Sequence, residues 1–364
     1  MSILLGEDQV AFGAAAGRLV AARCDTAGLL GLLEPAGRDD RAFWAAAVAD
    51  GWSAIVVPPA YGGLGLGLVE LGQVAQAAGA APVGMPWLAP GAIVARALLR
   101  GDDRAAAQAW LPRLAAGERA ALAFAEGCEA LPGTPEVRWR QGALRGDKHG
   151  VVGGLAAAVA LVWAGDGTGP VLALAELDGS VARRGIDSFD NSRLPADLAF
   201  GGTAAQVLAS GEAAHDLARE LMAAWAVVLA FEQLGGAEAL LWRARDYAVT
   251  RRAFGQPIGA FQSVKHRIAE LYGLVEIARA NCLHAAACDG TAEFARAAAA
   301  ARLSATEAYD TAARDCVQVH GGLGTTWEGG LHLHMRRARS LAAECGNTLR
   351  WEDWLVDAIA GIAL

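Results

Sequence analysis

Charge is scarce in this chain and nowhere gathers. Only 19% of the residues are Asp, Glu, Lys or Arg, and 31 basic side chains are interspersed among 39 acidic ones for a formal net charge of -8. With no basic stripe there is no footprint for a nucleic-acid backbone, and nucleic acid is excluded as a partner. Cysteines are few and separate: Cys24, Cys128, Cys282, Cys288, Cys316 and Cys345 form no CxxC pair and no zinc-finger spacing. They read as reduced packing residues, and no metal site is expected. Long apolar runs are also missing, since Leu155 to Ala164 and Leu221 to Phe231 fall short of the roughly 20 residues that cross a bilayer. In the opening MSILLGEDQV, Glu7 and Asp8 precede any positive charge, the reverse of a secretory leader, so the expectation is a mature cytoplasmic chain. GxSxG, HExxH and papain-type cysteine signatures are absent, which removes support for a covalent hydrolase or a zinc protease.

What is present is apolar and ample. A 364-residue chain with 54% hydrophobic residues and 12 prolines can offset its ordering entropy by burial, so it is globular, with two or three modest domains. From Asp8 to about Gly117, Ala-rich amphipathic segments alternate with Gly and Pro punctuation, the pattern of helices. Asp39 and Asp40 can cap a helix through Phe43, Trp44 and Val48, Ile55 to Pro59 reads as an extended loop, and a helix follows over Leu66 to Ala80. Beyond Glu118 come short runs bounded by Gly, Asp and Pro: Ala121 to Glu126, Val137 to Gln141, Gly150 to Val152, Ala158 to Trp163, Val171 to Leu177 and Asp197 to Phe200. Helical periodicity returns from about Glu212, with long segments near 215 to 250, 259 to 288, 291 to 318 and 331 to 360. The fold class is α+β: a helical domain over residues 1–118, a central antiparallel β domain over 119–211, and a four-helix bundle over 212–364.

Three glycine-bearing stretches carry the candidate chemistry. Tyr61 to Gly67 could offer backbone N–H groups to a phosphate, but it lacks the preceding strand of a dinucleotide fold, and a flexible loop beneath a ligand site suits it better. Arg251 to Gln262, reading RRAFGQPIGAFQ, joins two helices with adjacent guanidinium groups suited to phosphate oxygens; it could equally be an interhelix turn with a solvated arginine pair. Gln318 to Glu328, reading QVHGGLGTTWE, lets another chain or a pyrophosphate approach the backbone closely, or simply ends a helix. His320, His332 and His334 have no carboxylate at ligand spacing and read as packing or surface residues.

RRAFGQPIGAFQSVKHRIAELY, QVHGGLGTTWE and GWSAIVVPPAYGGLGLGLVELGQV together resemble the acyl-CoA dehydrogenase family, in order and over nearly the whole chain. The resemblance implies FAD lying between the β domain and the bundle, with its ADP half reaching a neighbouring subunit, and hence a tetramer. It assigns Arg251, Phe254 and Gln262 to the diphosphate and adenosine part, and Gln318, Gly321 and Gly322 to a loop closing on the same half. The flavin half departs from the family pattern. Lys148 is followed by His149, Gly150, Val151 and Val152 where an aromatic and a hydroxyl would contact the ring, and Ala125 precedes Glu126 where a hydroxyl is usual.

The family's base is a glutamate that takes the α-proton of an acyl thioester, a role suited to a carboxylate tuned by desolvation. Ungapped matching puts Cys345 at that place, with Glu344 one residue before, and the base position of a second group of members falls on Trp225-Ala226. Glu344 is the candidate base; Glu220 and Glu232 read as acids on a solvated or capped helix face. WEGGLHLHMRRAR is similar to smaller members that assemble as α2β2 heterotetramers, several acting on steroid-type acyl-CoA thioesters. The leading expectation is therefore a flavoprotein subunit supplying the adenosine side of an FAD site shared with a homologous catalytic chain, and passing electrons to an electron-transferring flavoprotein. The alternatives are a self-sufficient homotetrameric dehydrogenase using Glu344, and a non-catalytic binding or scaffolding protein on the same fold.

Overall fold

A computed structural model describes residues 5–101 and 103–360. Residues 1–4 and 361–364, the outer ends of the expected helical regions, lie outside the described residues, as does Asp102. The chain divides into two compact units. One gathers the described residues up to Gly31, Leu68–Val83 and Ala226 onward; the other comprises the described residues of Leu32–Gly67 and Gly84–Trp225.

The amino-terminal part is helical as the periodicity predicts: α1 (Glu7–Arg23), α2 (Thr26–Leu33), α3 (Arg41–Ala49), α4 (Leu68–Gly79), α5 (Leu88–Arg100) and α6 (Arg104–Ala115). Asp40 caps α3 by accepting from the Phe43 N–H at 3.0 Å, the role expected of the acidic pair. The extended reading of Ile55 to Pro59 is corrected. Ile55 is right-handed helical, N–H groups of Ala54 and Val57 close turns onto Gly51 and Ala54, and Pro58 is extended before Pro59. Leu64, Gly65 and Leu66 then bond back to Ala54, Val57 and Ile55, so the glycine run is folded onto the turn.

The central strands are β1 (Ala120–Ala123), β2 (Arg138–Arg140), β3 (Ala143–Val151), β4 (Val159–Gly165), β5 (Pro170–Glu176), β6 (Val181–Gly185) and β7 (Ala196–Ser210). Pairing is antiparallel except where β1 and β2 run parallel to β4. The pairings β4 to β2, β3, β7, β5 and back to β4 close on themselves, so the inward side chains fill a barrel. Its core is Val137, Leu144, Val162, Ala173, Leu198 and Phe200 with their neighbours, all buried. The short run expected at Gly150 to Val152 is the tail of the longer β3, whose Arg145, Asp147 and His149 hide its alternation behind outward charges. Strand β6 escapes a hydrophobicity reading because its Arg183 and Arg184 dominate five residues.

The bundle is built from α7 (Gly211–Thr250), a hairpin of β8 (Arg252–Ala253) and β9 (Gln256–Pro257), then α8 (Gln262–Ala287), α9 (Phe294–His320), α10 (Leu331–Ala343) and α11 (Thr348–Ala360). Among the described residues α7 is the helix long and apolar enough to cross a bilayer, but 83% of its apolar window is buried inside the protein, as in a core helix. Helices α4 and α7 meet backbone to backbone. A Cβ at Gly79 would lie 1.9 Å from the Glu232 carbonyl oxygen, and one at Gly235 would lie 1.8 Å from that of Gln76. The single helix expected over 331 to 360 is corrected to two. Cys345 and Gly346 take φ of 63° and 93°, left-handed values that end α10 and restart the chain as α11.

Candidate functional site

Three separate stretches of sequence converge at one end of the bundle. The Tyr247 ring, in the last turn of α7, stacks on His320, the last residue of α9, with centroids 4.2 Å apart. The Arg251 N–H closes that turn on the Tyr247 carbonyl at 2.8 Å. Arg267 on α8 pairs with Asp315 on α9, which sets Gln262, at the start of α8, beside the end of α9 that carries Gln318. The arginine turn, the head of α8 and the glycine loop after α9 are thereby brought to one place.

Local geometry at that place favours ligand contact over packing. Phe254 and Gly255 head the β8–β9 hairpin with φ of 51° and 83°. A bulky residue held left-handed is uncommon and costs energy. The Phe254 ring is nevertheless 95% exposed, its centroid 6.2 Å from that of Phe261 in an edge-on pair. Gly321 has φ 57° and ψ -135°, a conformation open to glycine. A Cβ at Gly321 or Gly322 would meet nothing within 4 Å, so this backbone is open to approach. The side chains of Arg251, Gln262 and Gln318 are exposed and make no hydrogen bond or ion pair among the described residues. His320 accepts no share of this charge. Burial, with Arg243 nearby, holds its pKa below the usual imidazole value, and Nδ1 lies 2.7 Å from the Cys316 carbonyl.

A buried polar network surrounds the other sequence candidate. Glu344 caps the end of α10 and is itself buried. Fully buried Arg302 of α9 donates to the carbonyl of Glu344 at 2.7 Å, to that of Leu341, and to Gln233 Oε1 at 2.5 Å. Gln233 in turn donates to Thr306 Oγ1 at 3.1 Å. Arg337 of α10 pairs with Glu232 at 3.0 Å and donates to the Val83 carbonyl at 3.0 Å. The turn beyond is tied by the Trp351 indole N–H donating to the Cys345 carbonyl at 3.0 Å.

This network sorts the possible bases. Burial pushes the Cys345 thiol well above its ordinary pKa, so it is a protonated packing group with no basic lone pair to offer. Trp225 is a buried indole against Phe124. Glu220 is committed to Arg96 and Arg100, and Glu232 to Arg337, so these acids are ion-paired. Sequence reading missed Arg302, Gln233 and Arg337. The signal for Arg302 was a lone guanidinium inside AAAAARLSA, where the helical period places it on the buried face.

His334, expected to be a packing or surface residue, is buried on α10 with Nδ1 2.9 Å from the Tyr309 hydroxyl. Burial first, then Arg243 and Arg337, push its pKa down to about 3. The unfolded chain binds this proton from about pH 6.5 downward and the folded chain does not until about pH 3, so acid progressively favours unfolding across that window. His334→Gln should shed that increment. Urea midpoints from pH 7 to pH 4.5 should fall less steeply for the variant, by roughly 1.4 kcal/mol of stability per pH unit below pH 6.5; parallel slopes would show that His334 is not the titrating group.

In the β-barrel unit, Lys148 is fully buried and its Nζ donates to Glu126 Oε1 at 2.6 Å and the Phe124 carbonyl at 3.0 Å. Burial pushes its pKa down to about 8 against the pull of Glu126. Glu126 also accepts the N–H groups of Glu136 and Val137, at 2.5 and 3.2 Å, fastening the loop that follows β1. Beyond Lys148, Gly150 is left-handed with its N–H on Asp197 Oδ1 at 3.1 Å, and Ala125 and Val152 bring no hydroxyl to this end of the barrel. Of the cysteines, Cys282, Cys316 and Cys345 are buried as packing residues; Cys24 and Cys288 are half-buried, and Cys128 is exposed, so packing does not describe it.

Comparison with known proteins gives two family matches: the acyl-CoA dehydrogenase N-terminal domain over residues 7–118, and the acyl-CoA dehydrogenase C-terminal domain over residues 213–348. The acyl-CoA dehydrogenase IpdE2 of Mycobacterium tuberculosis is 48% identical over 117 residues, which is 32% of this chain and 36% of that protein. The matched stretch thus spans about a third of that relative's length. Among solved structures, the steroid ACAD Tcur3481-Tcur3483 G363A variant superposes with a TM-score of 0.86 at 26% identity, covering 98% of this chain and 99% of that one. The ChsE4-ChsE5 complex from Mycobacterium tuberculosis has a TM-score of 0.88 at 24% identity, covering 100% of each chain, a likeness of fold.

Proposed function

Because the chain belongs to the acyl-CoA dehydrogenase family, we propose that it is a flavoprotein subunit for α,β-dehydrogenation of an acyl-CoA thioester, holding the diphosphate and adenosine side of an FAD site shared with a homologous catalytic chain. The observation that carries this reading is the convergence of Arg251, Gln262 and the Gln318–Gly322 loop at one end of the bundle, with their side chains unpaired. That donor set fits the group. A free guanidinium suits diphosphate oxygens, two carboxamides suit a ribose or adenine edge, and a glycine backbone without Cβ obstruction permits close approach. The exposed Phe254 ring offers an apolar face beside them.

Bound FAD supplies the acceptor for the substrate's β-hydride. This chain's residues do the rest of what is assigned to them: Arg251 neutralises diphosphate charge, Gln262 and Gln318 orient the nucleoside end, and Gly321 and Gly322 keep the approach clear. Ala125 and Val152, near Lys148, offer no hydroxyl to a flavin ring, and the ion-paired or protonated groups near the two family base positions support assigning the base to the partner. The α2β2 arrangement is also consistent with likeness to a complex of two such chains, and a bulky, steroid-type acyl group with likeness to a steroid ACAD. The reading includes a cytoplasmic chain, an electron-transferring flavoprotein as acceptor, and the division into residues 1–118, 119–211 and 212–364.

The experiment is the visible spectrum and the flavin-to-protein ratio of the purified chain, alone and with a homologous dehydrogenase chain. Little flavin alone and stoichiometric flavin in the complex is the expected outcome, with Arg251→Ala lowering the flavin content of the complex at least tenfold. Robust turnover by the pure homo-oligomer would sink the shared site. It would favour the second reading, for which the observation is Glu344 buried in the α10–α11 break, and a Glu344→Gln variant with full activity would remove that too.

A further inference from the structure

We propose that His284, Cys288 and Glu293, on the turn between α8 and α9, form a binding site for a zinc-type divalent cation that ties the two helices together. The proposal is independent of the flavin reading, since none of these residues belongs to the motifs described above. One ring nitrogen of His284, the Cys288 sulfur and a Glu293 carboxylate oxygen lie within 4.8 Å of one another. Sequence spacing alone hid this set, because His284 and Cys288 are spaced i and i+4 at the end of α8 while Glu293 lies across the turn, at the N-cap of α9.

The distances match those a metal would impose. Zinc takes sulfur at about 2.3 Å and imidazole nitrogen at about 2.0–2.1 Å, and a tetrahedral angle between them places the two ligand atoms about 3.6 Å apart. The Cys288 Sγ lies 3.6 Å from His284 Nε2 and 3.8 Å from Nδ1. Cys288 is also the C-cap of the 26-residue α8, where the helix dipole places partial negative charge and favours a cation.

The turn is already ordered. The Cys288 N–H closes onto His284 and Ala285, the Thr291 hydroxyl donates to the Cys288 carbonyl at 2.7 Å, and the Glu293 N–H donates to Thr291 Oγ1 at 3.3 Å. Glu293 leads directly into α9 as its N-cap. Its ion pair with Arg296, at 2.9 Å, is about half exposed on both sides and so holds the carboxylate only weakly. Its oxygen, within 4.8 Å of the sulfur and one ring nitrogen, is in reach of an ion shared by all three. Three protein ligands leave a fourth position for water. On binding, the Cys288 S–H bond breaks, a metal–sulfur bond forms and one proton goes to solvent; the His284 lone pair and the Glu293 carboxylate bind without further proton exchange. No oxidant or reductant is involved.

The test uses the full chain, freed of metal by chelator and kept reduced. Cobalt(II) is titrated in while sulfur-to-cobalt absorption is followed in the near ultraviolet, and zinc(II) is then added in competition. The expected result is one ion per chain, with the band bleached by zinc and zinc affinity lowered at least tenfold in each of Cys288→Ser, His284→Ala and Glu293→Gln. Cys128→Ser, which changes the exposed thiol elsewhere, should behave as the parent. Retention of the band in Cys288→Ser, its loss in Cys128→Ser, or unchanged zinc affinity in either His284→Ala or Glu293→Gln overturns the site. Because the ligands are at the surface, His284→Ala and Glu293→Gln keep the proposal open to refutation should Cys288→Ser fail to fold.

Discussion

Arg302→Met should lower the unfolding free energy by about 3 kcal/mol or more, the range in which removing one member of a buried charged network falls. The substitution keeps most of the volume, so the loss is polar. It takes this donor from the carbonyls of Leu341 and Glu344 at the end of α10, where the helix has no N–H to give them, and leaves Gln233 Oε1 with the Thr306 hydroxyl at 3.2 Å. Each buried acceptor so abandoned costs roughly 1–3 kcal/mol. Against this stands relief from burying a guanidinium, whose pKa burial has already pulled down; an isolated cation would make that relief the larger effect, but the two carbonyls outweigh it. Arg302→Lys should recover only part of the loss, because an ammonium on a flexible stem lacks the planar fork that meets acceptors in different directions at once. Urea unfolding of the three proteins checks the order parent, Lys, Met; a Met variant as stable as the parent would mean that the network is dispensable.

The second large effect is expected in the barrel. Lys148→Met leaves Glu126 buried without its cation, and should cost about 3 kcal/mol, moderated by the Glu136 and Val137 N–H groups that the carboxylate keeps. Combining it with Glu126→Gln should cost distinctly less than the sum of the two single losses, because neither partner then remains charged. The pH dependence identifies the lysine. Its pKa is about 8 when folded against 10.5 in the free side chain, so between those values the unfolded chain binds the proton and the folded chain does not. Stability attributable to Lys148 is thus fully present above about pH 10.5 and lost as pH falls through about 8. The parent should gain from this group between pH 8 and 10, and Lys148→Met should lack that gain. Parallel pH profiles would refute the assignment.

How far the sequence speaks for itself depends on whether one local pattern is enough. The helices α7, α8 and α9 were legible because forty, twenty-six and twenty-seven residues of apolar periodicity leave no competing pattern. The Asp40 cap was legible because capping needs one side chain and a nearby N–H. The end of α10 was not, because Cys345 is left-handed without being glycine or asparagine, and the turn depends on Arg302 arriving from another helix. Likewise the alternation of β3 puts Lys148 on the inward face with Leu144, but its partner Glu126 comes from the loop after β1, beyond any local window. At the candidate site, the residues were visible as motifs but their meeting place was not, since it is set by the Tyr247–His320 stack and the Arg267–Asp315 pair, which no local window contains.

The facing glycines of α4 and α7 bear on how this protein can change over generations. Gly79 lies against the carbonyl of Glu232, and Gly235 against that of Gln76, so a methyl group at either position must drive two main chains apart by more than an ångström. A change at one would have to await loosening of the whole crossing. The pair should therefore be inherited together, and lineages that abandon one glycine should be found to have abandoned the other and repacked the helices between them.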